Sequence, residues 1–219
     1  HTERMLRALG YTVRTDGAVD KRIRPFTAEE QAESAYRKAL QYVDQGRSED
    51  AARELTEALR VAPQHTGARV LMVGIALKHG RRREAQQLLE QGIAQSPKHY
   101  AFAQLLARIH IDEGAESKAL VLLEGIAPLA ANDPDFTVLM ATALQRVGRH
   151  ADAAAGFQRA VDLRPGDARA WLGLAISLEA DRKSQPARLA YERAKQVGGL
   201  SPALASYADK RLAALRAAE

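Results

Sequence analysis

Five alanines, at positions 51, 85, 119, 153 and 187, recur at a step of 34 residues, and no other feature of this chain restricts its fold as tightly. Glycines at 46, 80, 114 and 148 keep the same step. Four places after each alanine stands a large residue: Leu55, Leu89, Leu123, Phe157 and Tyr191. Three further on come Ala58, Gly92, Ile126, Ala160 and Ala194. Pro63, Pro97 and Pro165 close three of the units, and Ala131 and Gly199 stand at that place in the other two. Unrelated amphipathic helices would not hold one phase over five units, so the chain reads as one small motif stacked on itself.

The residue types follow from packing two antiparallel helices closely. Glycine ends the first helix because it alone takes the left-handed cap without a Cβ penalty. The alanine lets the second helix approach, the large residue one turn later fills the space between them, and proline stops the second helix. One such hairpin cannot bury its apolar stripe, so stability is roughly a sum of neighbour interfaces and the ends need polar caps.

Period and pattern together resemble the tetratricopeptide (TPR) family. The likeness is clearest in the fifth unit, where Trp171, Leu174, Ala175 and Leu178 are followed by Ala187, Tyr191 and Ala194, although Arg182 stands where a turn glycine is expected. The resemblance implies an all-α fold: a TPR α-solenoid of five helix-turn-helix repeats, at 32–65, 66–99, 100–133, 134–167 and 168–201, with a C-terminal capping helix. Residues 1–26 read as a short helix over 2–10 followed by a basic linker containing Lys21, Arg22, Arg24 and Pro25. Thr27 and Glu30 form a capping box that opens the array of 27–201. Ser48 is expected to cap the second helix, Arg81, Arg82 and Arg83 to fill the turn of repeat two, and Pro128 to truncate or kink the second helix of repeat three. Ser201-Pro202 starts the capping helix of 202–219, with Leu204, Tyr207, Ala208, Leu212 and Leu215 on its packing stripe.

Chemistry is poorly served by these residues. Cysteine is absent, which excludes disulfides and thiol nucleophiles. The six histidines include no pair at the spacing of a helical zinc site, and neither a phosphate-binding glycine loop nor a nucleophile elbow is present. We therefore expect no enzyme activity, no catalytic residue, no metal and no cofactor. The formal net charge of +5 is spread as about −1, +4, −3, 0 and +3 over the repeats, a mosaic that argues against a nucleic-acid stripe. No apolar run is long enough for a membrane span. Because the chain starts at His1 without an initiator Met, we expect it to be cut from a longer protein that carries a targeting segment or anchor.

Binding is the remaining class. In TPR arrays the first helices line a groove, and the resemblance carries that lining onto Glu33, Tyr36, Leu40 and Val43 in repeat one and Val70, Leu77 and Lys78 in repeat two. In repeat three it falls on Gln104, Arg108 and Ile111, in repeat four on Val138, Thr142, Gln145 and Arg146, and in repeat five on Arg169, Leu172, Ile176 and Glu179. Apolar anchors interspersed with Arg108, Arg146 and Arg169 suit an extended or helical peptide of acidic character; for several of these residues, Val70 and Val138 above all, packing between repeats is the competing expectation. Tyr36 and Leu40 replace the Lys and Asn with which chaperone-tail relatives clamp a terminal carboxylate. The stretches at 19–40, 171–194 and 198–215 are also similar to the TPR portion of the MSHA-type (mannose-sensitive haemagglutinin) type IV pilus biogenesis family of Gram-negative bacteria. That resemblance implies a scaffold on the periplasmic face of the inner membrane, holding a pilus assembly subunit and reaching the membrane only through an anchor outside this chain. The alternative is a cytoplasmic TPR adaptor or regulator of an enzyme complex; the oligomeric state stays open.

Overall fold

The computed structural model describes residues 26–217. The expected helix at 2–10 and its basic linker lie outside these residues. Among the described residues every regular element is a helix, in an α-solenoid of helical hairpins. We label them α1 (Ala28–Asp44), α2 (Ser48–Val61), α3 (Thr66–Lys78), α4 (Arg82–Gln95), α5 (Ala101–Asp112) and α6 (Glu116–Ala130). Then follow α7 (Pro134–Arg146), α8 (His150–Leu163), α9 (Ala168–Ala180), α10 (Ser184–Val197) and α11 (Pro202–Ala217). Two compact units divide the chain, one ending at Phe102 and the other beginning at Ala103.

The turn inside each repeat is built from one hydrogen-bond pattern used five times. Arg47 N–H donates to the Tyr42 carbonyl (2.8 Å), Arg81 to Ala76 (2.8 Å), Ala115 to His110 (2.8 Å), Arg149 to Leu144 (2.9 Å) and Lys183 to Leu178 (2.9 Å). These six-to-one bonds need a left-handed residue just before the donor. Gly46, Gly80, Gly114 and Gly148 supply it with φ between 71° and 80°. In repeat five Arg182 takes the same conformation, φ 62°, alone among the described non-glycine residues. The donor then accepts, through its own carbonyl, the amide of the periodic alanine four places on: Ala51, Ala85, Ala119, Ala153 and Ala187. One residue thus closes the first helix and opens the second.

That geometry corrects two expectations. Ser48 is not a cap: Arg47 holds the cap position and Ser48 begins α2, because the turn is too short to place a side-chain cap there. Only Arg81 lies in the turn of repeat two, and Arg82 and Arg83 form the exposed first turn of α4. The capping box at Thr27 and Glu30 is present in both directions, at 2.9 and 3.2 Å. Pro128 does not truncate its helix, since α6 runs on to Ala130.

In the first unit α1 to α3 meet over a core made largely of alanine, with Ala32, Ala39, Ala51, Ala58 and Ala68 fully buried around Leu55. Such small contacts let the helices approach closely. Arg69 of α3 is 3% exposed. Its guanidinium donates from both terminal nitrogens, to the Pro63 carbonyl (2.6 Å), the Leu88 carbonyl (3.2 Å) and the side chains of Gln91 (3.3 Å) and Gln95 (2.6 Å), which offsets the cost of burying it. In the second unit the large periodic residues take over. Leu123, Phe157 and Tyr191 are buried, and the Phe157 ring lies so close to α9 that Gly173 is there by necessity: an added Cβ would stand 2.5 Å from Cζ. On α11 Ala208, Leu212 and Leu215 are buried, as a terminal cap requires, whereas Tyr207 is 40% exposed and meets Tyr191 edge-on at 6.4 Å.

Candidate functional site

The expected groove residues all lie on the first helices of the repeats, and the structure divides them into three kinds. Some are consumed by packing. Ile111 and Leu172 are 3% and 5% exposed, so they are core side chains and not lining, a correction that follows from their position under the adjoining helix. Val43 and Tyr36 are half-buried on the apolar cluster of the first unit, and the Tyr36 ring covers Gly67 and tilts against His65 at 5.1 Å. Gln104, Val138 and Ile176 are likewise half-buried.

A second kind is held by bonds to other residues of the chain. Gln145 Nε2 donates to the Gly173 carbonyl (3.0 Å) and to Ser177 Oγ (2.7 Å), tying α7 to α9. Arg146 donates to the Ile111 carbonyl (2.7 Å) and lies 3.5 Å from the Glu116 carboxylate. Thr142 bonds back to the Val138 carbonyl at 2.8 Å. Glu179 receives the Tyr191 hydroxyl (2.8 Å) and a forked contact from Arg211 of the capping helix. The hydrogen bonds from Arg211, then that from Tyr191, hold the Glu179 carboxyl below the usual carboxylate range, against the opposing effect of burial. Burial, followed by the bond to Glu179, pushes the Tyr191 phenol far above its ordinary value. Glu33 sits 2.8 Å from Arg37 and 3.4 Å from His65, and the Arg37 bond holds its carboxyl down too.

What remains is open to a ligand. On the first unit these are Leu40, Val70 and Leu77, at 38, 37 and 38% exposure, with Lys78 beside them in sequence. Exposed aliphatic side chains recurring on one set of helices exceed the scattered singles of an ordinary surface. On the second unit Arg108 and Arg169 are exposed and have no ion-pair partner among the described residues. The residues on the first unit can dock apolar anchors and those on the second can bind carboxylates, and neither set offers an arranged nucleophile, acid or base.

Three features escaped the sequence. In three repeats the last place caps the next first helix: His65 Nδ1 accepts from Ala68 N–H (3.0 Å), Asp133 from Asp135 (2.9 Å) and Asp167 from Arg169 and Ala170 (3.0 Å each), as Ser201, expected from the sequence, does from Leu204 (3.4 Å). The step of 34 from 65 to 201 was the available signal. The Arg69 cluster and the Glu179–Arg211–Tyr191 cluster left no local trace. Among the described residues no three His, Asp or Glu side chains are grouped to hold a metal, and no helix is long and apolar enough to cross a membrane.

Hairpins of fixed length, joined by one repeated turn and presenting unspent side chains on their first helices, define a helical-repeat interaction scaffold. Two tetratricopeptide repeat models match residues 42–142 and 138–205, and the chain belongs to the tetratricopeptide repeat family. No curated protein matches it in sequence. Among solved structures it is similar to MamA 41-end from Desulfovibrio magneticus RS-1, with 17% identity, TM-score 0.67 and coverage of 77% of this chain and 95% of that one. It is similar to YrrB, described as a TPR protein with an unusual peptide-binding site, at 17% identity, TM-score 0.68 and coverage of 82% and 92%. It is also similar to pilF of Pseudomonas aeruginosa, at 16% identity, TM-score 0.69 and coverage of 86% and 90%. At these identities the likeness is one of fold.

Proposed function

We propose that this protein is a non-catalytic scaffold that holds a peptide segment of a partner on the first-helix faces of its repeats, within a type IV pilus (MSHA-like) or related envelope assembly machine. The observation that carries the reading is the residue set left over after packing. Leu40, Val70 and Leu77 supply apolar anchor sites, and Arg108 and Arg169 supply cations that no carboxylate among the described residues neutralises. Taken unit by unit, the first suits a partner segment with aliphatic anchors and the second one bearing Asp or Glu. The described peptide site of YrrB, on a related fold, supports a peptide ligand. The pilus assignment rests on the sequence likeness at 19–40, 171–194 and 198–215, and with it comes placement on the periplasmic face of the inner membrane.

The test is capture of envelope proteins by the chain and by two variants, Leu40→Asp with Leu77→Asp, and Arg108→Glu with Arg169→Glu. All four positions are exposed, so folding is retained, and circular dichroism checks it. Loss of a pilus assembly protein from both variants supports the reading. Unchanged capture removes the first-helix faces from the account, and capture only of cytoplasmic enzyme subunits favours the adaptor alternative.

A further inference from the structure

The outward face of α3 runs straight into the turn that follows it. Gly67, Val70, Gly74 and Leu77 fall at three- and four-residue steps, which places them on one side of the helix. Tyr36 of α1 covers the start of that stripe by packing on Gly67, and beyond it Val70, Gly74 and Leu77 are exposed. Leu40, one turn past Tyr36 on α1, is exposed as well. Nothing inside the chain calls for glycine at 74. Its φ is not positive, and an added Cβ would meet no atom within 4 Å. Glycine in a helix interior is destabilising relative to alanine, so bare backbone between two exposed aliphatic side chains is a notch left open for a body outside the chain.

The stripe ends in charge. Leu77 is followed at once by Lys78, His79, Gly80, Arg81, Arg82 and Arg83, all exposed. Arg81 is taken by Glu84 at 3.0 Å, whereas Lys78, Arg82 and Arg83 have no ion-pair partner among the described residues. The two arginines also stand against the helix dipole. α2 opens on Glu49 and Asp50, α6 on Glu116 and α8 on Asp152, the favourable sign for a helix start, but α4 opens on Arg82 and Arg83. They do nothing for the helix that carries them. A cationic edge alone suits any anion. The aliphatic stripe beside it selects a polypeptide, which brings apolar side chains for the stripe and carboxylates for the edge on one strand.

We infer that the ligand site of the first unit extends off α3 onto the turn of repeat two, and that it takes a segment in which aliphatic residues adjoin a run of Asp or Glu. The inference rests on the peptide reading above and adds to it an acidic run held by Lys78, Arg82 and Arg83, within the first unit itself. Lys78 follows Leu77 directly, so the run lies immediately beside the aliphatic anchor.

The test is selection from a display library of random peptides against the whole chain, followed by fluorescence anisotropy of the peptides recovered. Enriched sequences are expected to carry Asp or Glu beside Leu, Ile or Val. Arg82→Glu with Arg83→Glu should weaken their binding at least about tenfold and keep the fold, since it restores the favourable sign at the start of α4. The same variant should gain affinity for a peptide whose acids are replaced by lysine. Arg159→Glu with Lys210→Glu makes the same change of net charge at exposed places elsewhere and should leave binding as it was. Gly74→Leu fills the notch and should abolish binding, with circular dichroism unchanged. Enriched peptides without acids, acidic peptides indifferent to the arginine pair, equal loss in the remote variant, or full binding by Gly74→Leu each overturns this inference alone. Binding of single-stranded DNA or of phosphatidylglycerol vesicles through the arginine pair, with no acidic peptide selected, overturns it too. Failure to enrich any peptide that depends on Leu40 and Leu77 overturns the peptide reading beneath it.

Discussion

Replacing Gly173 by alanine sets helix propensity against packing at one atom. In an open helix the change gains about 1 kcal/mol. At Gly173 the new methyl would stand 2.5, 2.6 and 2.9 Å from Cζ, Cε1 and Cε2 of Phe157, where about 3.5–4.0 Å is the comfortable separation. The ring is 3% exposed, so it cannot swing into solvent, and relief requires it or the helix to move by about 1 Å. Overpacking of this kind costs about 1–3 kcal/mol, and three simultaneous contacts put Gly173 at the upper end. After subtracting the propensity gain we expect a net loss of about 1–2 kcal/mol. Gly125→Ala, also inside a helix but facing open space, should instead gain about 1 kcal/mol. The assay is urea denaturation at low micromolar concentration, followed by far-UV circular dichroism and by the fluorescence of Trp171, the only tryptophan, two residues from Gly173. Two probes are needed because repeat arrays depart from two-state unfolding. A Gly173→Ala protein as stable as Gly125→Ala would refute the close-packing argument for the α8–α9 contact.

Arg182→Gly should raise stability by about 1 kcal/mol, seen as a higher urea midpoint, because it removes a side chain from a left-handed position. Gln145→Ala strips the partner from Ser177, which is 0% exposed, and should cost about 1–3 kcal/mol, reported by the Trp171 fluorescence transition. Glu179 has its carboxyl held below the ordinary range in the folded protein, so its contribution is present above the unfolded value and lost as pH falls through the folded one. Acid titration should therefore loosen the α11 cap first, visible as faster amide exchange in 202–217, and Glu179→Gln should flatten that dependence.

The turn chemistry was legible because it is local. A left-handed residue, a backward hydrogen bond and a small alanine within six positions are set by neighbours along the chain, and five copies in phase repeat the message. The exception at Arg182 was legible as a departure, and its backbone conformation shows the turn overriding residue preference. The groove residues were legible only as places on helices. Gln145 and Glu179 stand at ligand-facing places of the family pattern, yet each is bound by a residue 32 positions away, Ser177 and Arg211. No local rule distinguishes a polar side chain turned to a ligand from one turned to the next repeat.

By itself, then, the amino-acid order determined the hairpin, its length, the number of copies and the family to which they belong. Only the stacked structure decided which side chains the repeats spend on one another: Ile111 and Leu172 in the core, Arg146 and Glu179 in bonds between helices, and Leu40, Leu77, Arg108 and Arg169 left over. The division has a physical cause. Backbone turns close over a few residues, whereas burial and pairing depend on which surfaces a whole helix meets.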